Sequence, residues 1–151
     1  MSGTAEKGWG YALERPAPPM LEAALRSVGR GVSEPAPLPA CNGDECHWVR
    51  AVADCLARGT CRAAVLFCDD AGVACCVANK VPGVRAVAVQ SIAQAEQAIR
   101  GLDANLLIAE PDGRTFYEFK KLLQLCSGRN GTTCPPGVAC VLQELDGHAH
   151  R

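Results

Sequence analysis

Between residues 63 and 89 the chain leaves little freedom in architecture. Residues 63–68 read Ala-Ala-Val-Leu-Phe-Cys, a short apolar run bounded by polar residues, which is a strand signal. Asp69 and Asp70 then open a helix of small residues from about Ala71 to Asn79, and Val81-Pro82-Gly83 turns the chain into a second apolar strand over 84–89. This is a strand–helix–strand unit. Its first strand ends on a thiol, Cys68, at the carboxyl edge where open α/β sheets bind their ligands.

The rest of the chain extends the same alternation. Apolar residues at 20, 21, 24, 25 and 28 predict a helix over Met20–Arg30, stopped by Gly29 and Gly31. Pro35, Pro37 and Pro39 predict a loop over 33–43. Trp48, Val49, Val52, Cys55 and Leu56 form one face of a helix over His47–Arg58, with Gly59 as its stop. Ser91 caps a helix running to Leu102, Asn105–Ala109 is a third strand, and Thr115–Leu125 is a further amphipathic helix. After the Cys134-Pro135-Pro136-Gly137 turn a last helix is expected over Val138–Leu145. The expected fold is a single α/β domain over 20–146, a three-layer α/β/α sandwich around a mainly parallel, Rossmann-like sheet. Residues 1–19, with Trp9 and Tyr11 as anchors before Pro16, Pro18 and Pro19, read as an irregular arm, and 147–151 as a polar tail.

Charge and cysteine usage narrow the function. With 151 residues and a formal net charge of −1, nothing favours nucleic acid or an anionic membrane as partner. No apolar run approaches the length of a membrane span, and Met1–Lys7 lacks a secretory pattern, so a cytoplasmic location is expected. Of the ten cysteines, no two have C-x-x-C spacing, and most are expected to be small core residues. A Cys-built metal or redox site is the alternative; His148 and His150 are too few to argue one. No cofactor and no metal is expected.

Residues 78–85 are Ala78-Asn79-Lys80-Val81-Pro82-Gly83-Val84-Arg85, and Cys68 precedes them at a fixed distance. Upstream stands Asp44-Glu45-Cys46-His47-Trp48-Val49, and downstream stand Gly101-Leu102-Asp103-Ala104-Asn105 and Ser127-Gly128-Arg129-Asn130. In order and spacing these resemble the ribose-5-phosphate isomerase B / galactose-6-phosphate isomerase family over roughly residues 20 to 133. The resemblance implies aldose–ketose isomerisation of a sugar phosphate through an enediolate, without a cofactor, in a homodimer whose sites use both chains. It implies Cys68 as the proton-transferring residue. A sugar or sugar-phosphate ligand would meet Asp44, His47, Asp69, Asp70, Gly72 and Arg129.

The chain departs from that family where chemistry would be done. The Gly-rich anion loop is replaced by Asp69-Asp70-Ala71-Gly72-Val73. Two unit charges about 5 Å apart at an effective dielectric near 20 interact by roughly 3 kcal/mol, so each aspartate opposes an enediolate or phosphate. Gly101 stands where the family's ring-opening His is expected, Thr133 where one Arg is expected, and Ala74 where another subgroup has its glutamate base. The first strand, with its Asp–His pair, reads as replaced by the segment Trp9–Pro19. Structural readings compete: Cys68 as a buried strand-end residue, Asp69 and Asp70 as helix caps, His47 as a helix-start residue, Arg129 as a solvated cation. The expectation is a catalytically degenerate family member acting as a structural or interaction partner, paired with itself or with an intact homologue. The alternative is an active isomerase using Cys68 on an altered substrate.

Overall fold

The computed structural model describes residues 8–148. Among them, β1 (Gly10–Leu13), β2 (Ala64–Phe67), β3 (Ala86–Ala88) and β4 (Leu106–Ala109) form one parallel sheet in the order β1-β2-β4-β3. Gly10 lies opposite Ala64, and both Ala64 and Ala86 lie opposite Leu106. The helices are α1 (Pro19–Gly29), α2 (Glu45–Ala57), α3 (Ala71–Asn79), α4 (Ile92–Leu102), α5 (Phe116–Ser127) and α6 (Pro136–His148).

The continuous apolar runs of β2 and β4 follow from burial on both faces, since every residue in each is buried. Val65, Phe67, Leu107 and Ala109 point to one face, against Leu21 and Ala24 of α1, Ala95 of α4 and Phe119 and Leu122 of α5. Leu66, Leu106 and Ile108 point to the other, against Trp48, Val49 and Val52 of α2 and Ala74 and Ala78 of α3. Ser91 caps α4 as expected, accepting from Gln94 N–H, and at the start of α5 Thr115 and Glu118 form a capping box.

The arm expected over 1–19 needs correction. Residues 1–7 lie outside the described residues, but Gly10–Leu13 is a strand, not an irregular segment. Its N–H and C=O groups pair with β2, Trp9 is 1% exposed, and Trp9 Nε1 donates to Ser33 O at 2.9 Å. The strand's other edge carries a single parallel bridge from Gly10 to Ala36. Burying one large aromatic and completing the ladder outweighs the prolines that follow, because Pro16, Pro18 and Pro19 fall after the strand, with Pro19 at the start of α1. At the other end α6 runs to His148, past the expected end of the helix, and residues 149–151 of the expected tail lie outside the described residues.

The segment 78–85 is a structural device. Asn79 bridges to β3 in both directions: its Nδ2 donates to Ala86 O and its Oδ1 accepts from Ala86 N–H, each at 2.8 Å. Gly83 has φ +87, which a side chain would strain, and Arg85 Nη1 donates to Leu102 O at 3.1 Å. Asn105 closes the arrangement, its Oδ1 accepting from Arg85 N–H at 2.7 Å and its Nδ2 donating to Gly83 O at 3.0 Å. Replacing Asn79 with Ala removes both of its hydrogen bonds to Ala86, leaving Ala86 O the weak Cys75 thiol donor at 3.3 Å, and is expected to destabilise the chain by about 1–2 kcal/mol, read from urea unfolding. A change within roughly 0.3 kcal/mol would show that water replaces the amide without loss.

Candidate functional site

The chain leaves β1 towards α1 and the Ala36 bridge on one side, while β2 pairs on the other. The carboxyl ends of β1 and β2 are therefore a topological switch point, the usual place for a ligand crevice in such sheets. A cleft of about 250 Å³ opens there. Four carboxylate residues line it, Glu14, Glu45, Asp69 and Asp70, with the thiols Cys46 and Cys68 and an apolar wall of Val49, Val73, Ala74 and Val77.

Two of the backbone donors that would face an anion are taken by the chain's own carboxylates. Asp69 N–H donates to Glu14 Oε1 at 2.9 Å, and Val73 N–H donates to Asp70 Oδ1 at 3.1 Å as the cap of α3. Helix N-termini bind anions through these unsatisfied N–H groups, so a capping carboxylate competes directly with a ligand. Arg15 is the cation of the region, and it is engaged too. Its Nε donates to Asp69 Oδ1 at 3.1 Å, and Nη2 reaches Asp112 Oδ2 at 3.5 Å, tying together the loops after β1, β2 and β4.

Cys68 lines the cleft but is 3% exposed. Burial, then the Glu14 charge, with Asp69 and Asp70 adding to it, pushes its thiol up to about 12; the Asp70 N–H opposes this only in part. At neutral pH the sulfur is a thiol, neither a nucleophile nor a base.

The other sequence-predicted residues divide. Asp69 and Asp70 are in the cleft as expected. Asp44 and His47 are not among its lining; they are bound to each other. Asp44 caps α2 by accepting from His47 N–H at 3.1 Å, and His47 Nδ1 lies 2.6 Å from Asp44 Oδ2. These hydrogen bonds hold the Asp44 carboxyl below the usual range. The turn of α2 that reaches the cleft presents Glu45 and Cys46 instead. Gly72 faces a neighbouring hollow of about 390 Å³, with Gln90, Gln94, Glu110 and Arg114. Arg114 is fixed by three carbonyls, those of Glu110, Gln90 and Val89.

Arg129 departs furthest from expectation. It sits by the residues that precede β2 and β4, away from the cleft, with its side chain 12% exposed. Its guanidinium donates to Asp103 O, to Arg62 O and, at 3.0 Å, to the buried Asp103 carboxylate. It is a structural clamp, not a solvated cation and not part of the cleft.

Glu14 and Arg15 escaped the sequence reading, because the proline-rich flank concealed the strand they follow. The alternation Trp9-Gly10-Tyr11-Ala12-Leu13 ahead of two charged residues was the available signal. With β1 present, Glu14-Arg15 occupies the strand end where the resemblance leads one to expect an Asp–His pair. Among the described residues no group of three or more His, Cys, Asp or Glu side chains is arranged to hold a metal ion. Four of the ten cysteines, Cys55, Cys61, Cys68 and Cys126, are buried, fewer than the core reading anticipated. Among the described residues no helix is long and apolar enough to cross a membrane.

A family model described as Ribose/Galactose Isomerase matches residues 41–120, just over half of the chain. No curated protein sequence matches it significantly. The fold is similar to that of type B ribose 5-phosphate isomerase from Trypanosoma cruzi, with a TM-score of 0.73 at 18% identity, covering 95% of this chain and 99% of that one. It is similar also to ribose-5-phosphate isomerase B from Mycoplasma genitalium, solved with bound ribulose-5-phosphate, with a TM-score of 0.72 at 19% identity, covering 98% and 99%. The corresponding enzyme from Thermotoga maritima gives a TM-score of 0.70 at 15% identity over 95% and 99%. Sheet order, switch-point cleft, the 78–85 turn and the family match all agree: this chain belongs to the ribose/galactose isomerase family.

Proposed function

We propose that this chain is a non-catalytic member of its family, a sugar-phosphate isomerase fold serving as a structural or interaction partner. The observation that carries this reading is the self-occupied anion site: Glu14 Oε1 on Asp69 N–H and Asp70 Oδ1 on Val73 N–H. Aldose–ketose isomerisation develops negative charge on oxygen, and catalysis depends on donors pre-aimed at that charge. Here two of those donors already hold carboxylates, and a further anion would be repelled by them. Cys68, pushed up to about 12, lacks the thiolate that proton transfer needs. A phosphate such as that of the ribulose-5-phosphate in the M. genitalium relative would meet four carboxylates in this cleft, with one arginine already paired.

One observation favours the active alternative: the cleft is open and Cys68 lines it. A single experiment separates the two. Ribose-5-phosphate, allose-6-phosphate and galactose-6-phosphate are incubated with the full chain and followed by NMR for the ketose and for solvent deuterium at C2. The expected result is conversion no faster than without protein, unchanged by Cys68→Ala. Turnover that disappears in Cys68→Ala would overturn the non-catalytic reading.

A further inference from the structure

Val73, in the first turn of α3, is 48% exposed and lines the cleft of about 250 Å³. Val77, half-buried, and Val49 and Ala74, buried, complete with it an aliphatic wall supplied by α2 and α3. Much of the remaining lining is acidic. Glu14 follows β1, Glu45 opens α2 and Asp70 caps α3, so three separate elements bring carboxylates to one cleft.

Those carboxylates keep acceptor capacity. Glu14 and Asp70 each accept through one oxygen, and Glu45 accepts no hydrogen bond among the described residues. None of the three forms an ion pair there, and Arg15 is shared between Asp69 and Asp112. The cleft therefore combines an apolar groove with negative charge that no cation of the chain answers.

An aliphatic wall beside unanswered carboxylates complements a long basic side chain, whose stem lies along apolar surface while its charged head meets acceptors. An anion fits neither part. The exposed rim points to a macromolecule as the carrier: Glu45, Asp70 and Val73 are all exposed, and the backbone flanking a basic residue would cover them.

We propose that this cleft docks a basic segment of a partner protein, a lysine stem lying on Val73 and Val77 and its ammonium meeting Glu45, Asp70 and Glu14. The proposal rests on the non-catalytic reading and gives the partner role its chemistry. The carboxylates steer the segment in and set its register, while the wall supplies apolar contact.

NMR titration of the ¹⁵N-labelled full chain with a capped glycine-valine-lysine-valine-glycine peptide tests it. The expected result is a Kd below about 1 mM, with shifts confined to the cleft. Norleucine in place of lysine keeps the stem, removes the charge and is expected to weaken binding at least ~10-fold. Glu45→Gln and Asp70→Asn are expected to weaken it about 3-fold each and roughly 10-fold together. Unfolding midpoints should not move, because Glu45 is exposed and asparagine also caps a helix start. Glu144→Gln, a carboxylate outside the cleft lining, should leave affinity unchanged. No cleft shifts at about 10 mM peptide overturn the proposal, as does a norleucine peptide that binds equally well. n-Butylammonium binding as tightly as the peptide overturns it in favour of a small organic cation, and ribose-5-phosphate displacing the peptide overturns it in favour of an anion. Turnover of a sugar phosphate sinks the non-catalytic reading, whereas absent peptide binding without turnover sinks this proposal alone.

Discussion

Replacing Arg129 with methionine is expected to cost about 3–5 kcal/mol of folding stability, the range for removing one partner of a buried ion pair. Asp103 is 3% exposed and sits at the end of α4 in the left-handed conformation, φ 54 and ψ 49. Its carboxylate accepts from Arg129 at 3.0 Å and from Thr133 Oγ1 at 3.2 Å. Without the guanidinium, a buried carboxylate loses its charged partner, and the carbonyls of Asp103 and Arg62 lose their donors as well. For a chain of this length the midpoint should fall by roughly 10 °C or more. The double variant Asp103→Asn with Arg129→Met is expected to recover part of the loss, because no unpaired charge is then buried. Calorimetry and urea unfolding both report on this. A loss under roughly 1 kcal/mol would mean that the clamp is not what holds 129–133 against α4. The result also bears on function, since an arginine kept only to grip a ligand would leave stability nearly unchanged.

The second large effect is on thiol reactivity. An ordinary exposed thiol has a pKa near 8.5, whereas Cys68 is pushed up to about 12. Each factor of ten in acidity is a factor of ten in thiolate at neutral pH. Cys68 should therefore react with iodoacetamide about 10²-fold more slowly than an ordinary exposed thiol, since the greater nucleophilicity of a more basic sulfur offsets part of the lost thiolate, and exposed Cys46 in the same cleft is the internal comparison. The sign follows from the causes: burial and the carboxylates of Glu14, Asp69 and Asp70 disfavour the anion, and only the Asp70 N–H favours it. Glu14→Gln removes the second-largest cause and is expected to speed alkylation of Cys68 without changing that of Cys76, which is exposed on α3. Peptide mass spectrometry of a time course checks both rates. Equal rates at Cys46 and Cys68 would show an accessible thiolate and return weight to the active alternative. The same displacement has a stability consequence at high pH. The folded chain holds the Cys68 proton more tightly than the unfolded chain, so this contribution is intact below about pH 9 and is lost as pH rises towards 12.

Legibility in the sequence tracked the range of the interactions involved. β2, α3 and the cap at Ser91 are written in contiguous residues, because apolar runs and capping side chains act within a few positions. β1 was hidden because a four-residue edge strand has little local signal; its stability comes from pairing with β2, some fifty residues away, and from burying Trp9. With β1 unseen, Glu14 and Arg15 could not be placed at the site. That Asp44 and His47 meet a ligand is what the family resemblance implies. The N-cap geometry of α2 turns them onto each other and aims Glu45 and Cys46 inward.

By itself, the sequence determined the parallel α/β unit, the family to which it belongs, and the loss of glycines at the loop after Cys68. Those properties rest on local periodicity, on turn residues and on which side chains a motif contains. Only the tertiary structure decided which charges meet. It brings Glu14 onto the N–H of Asp69, pairs Arg15 with that same aspartate, and carries Arg129 away to clamp Asp103. The sign of the electrostatic field in a cleft depends on distances between residues far apart in the chain, and Coulomb energy falls with distance in space, whatever the separation in sequence.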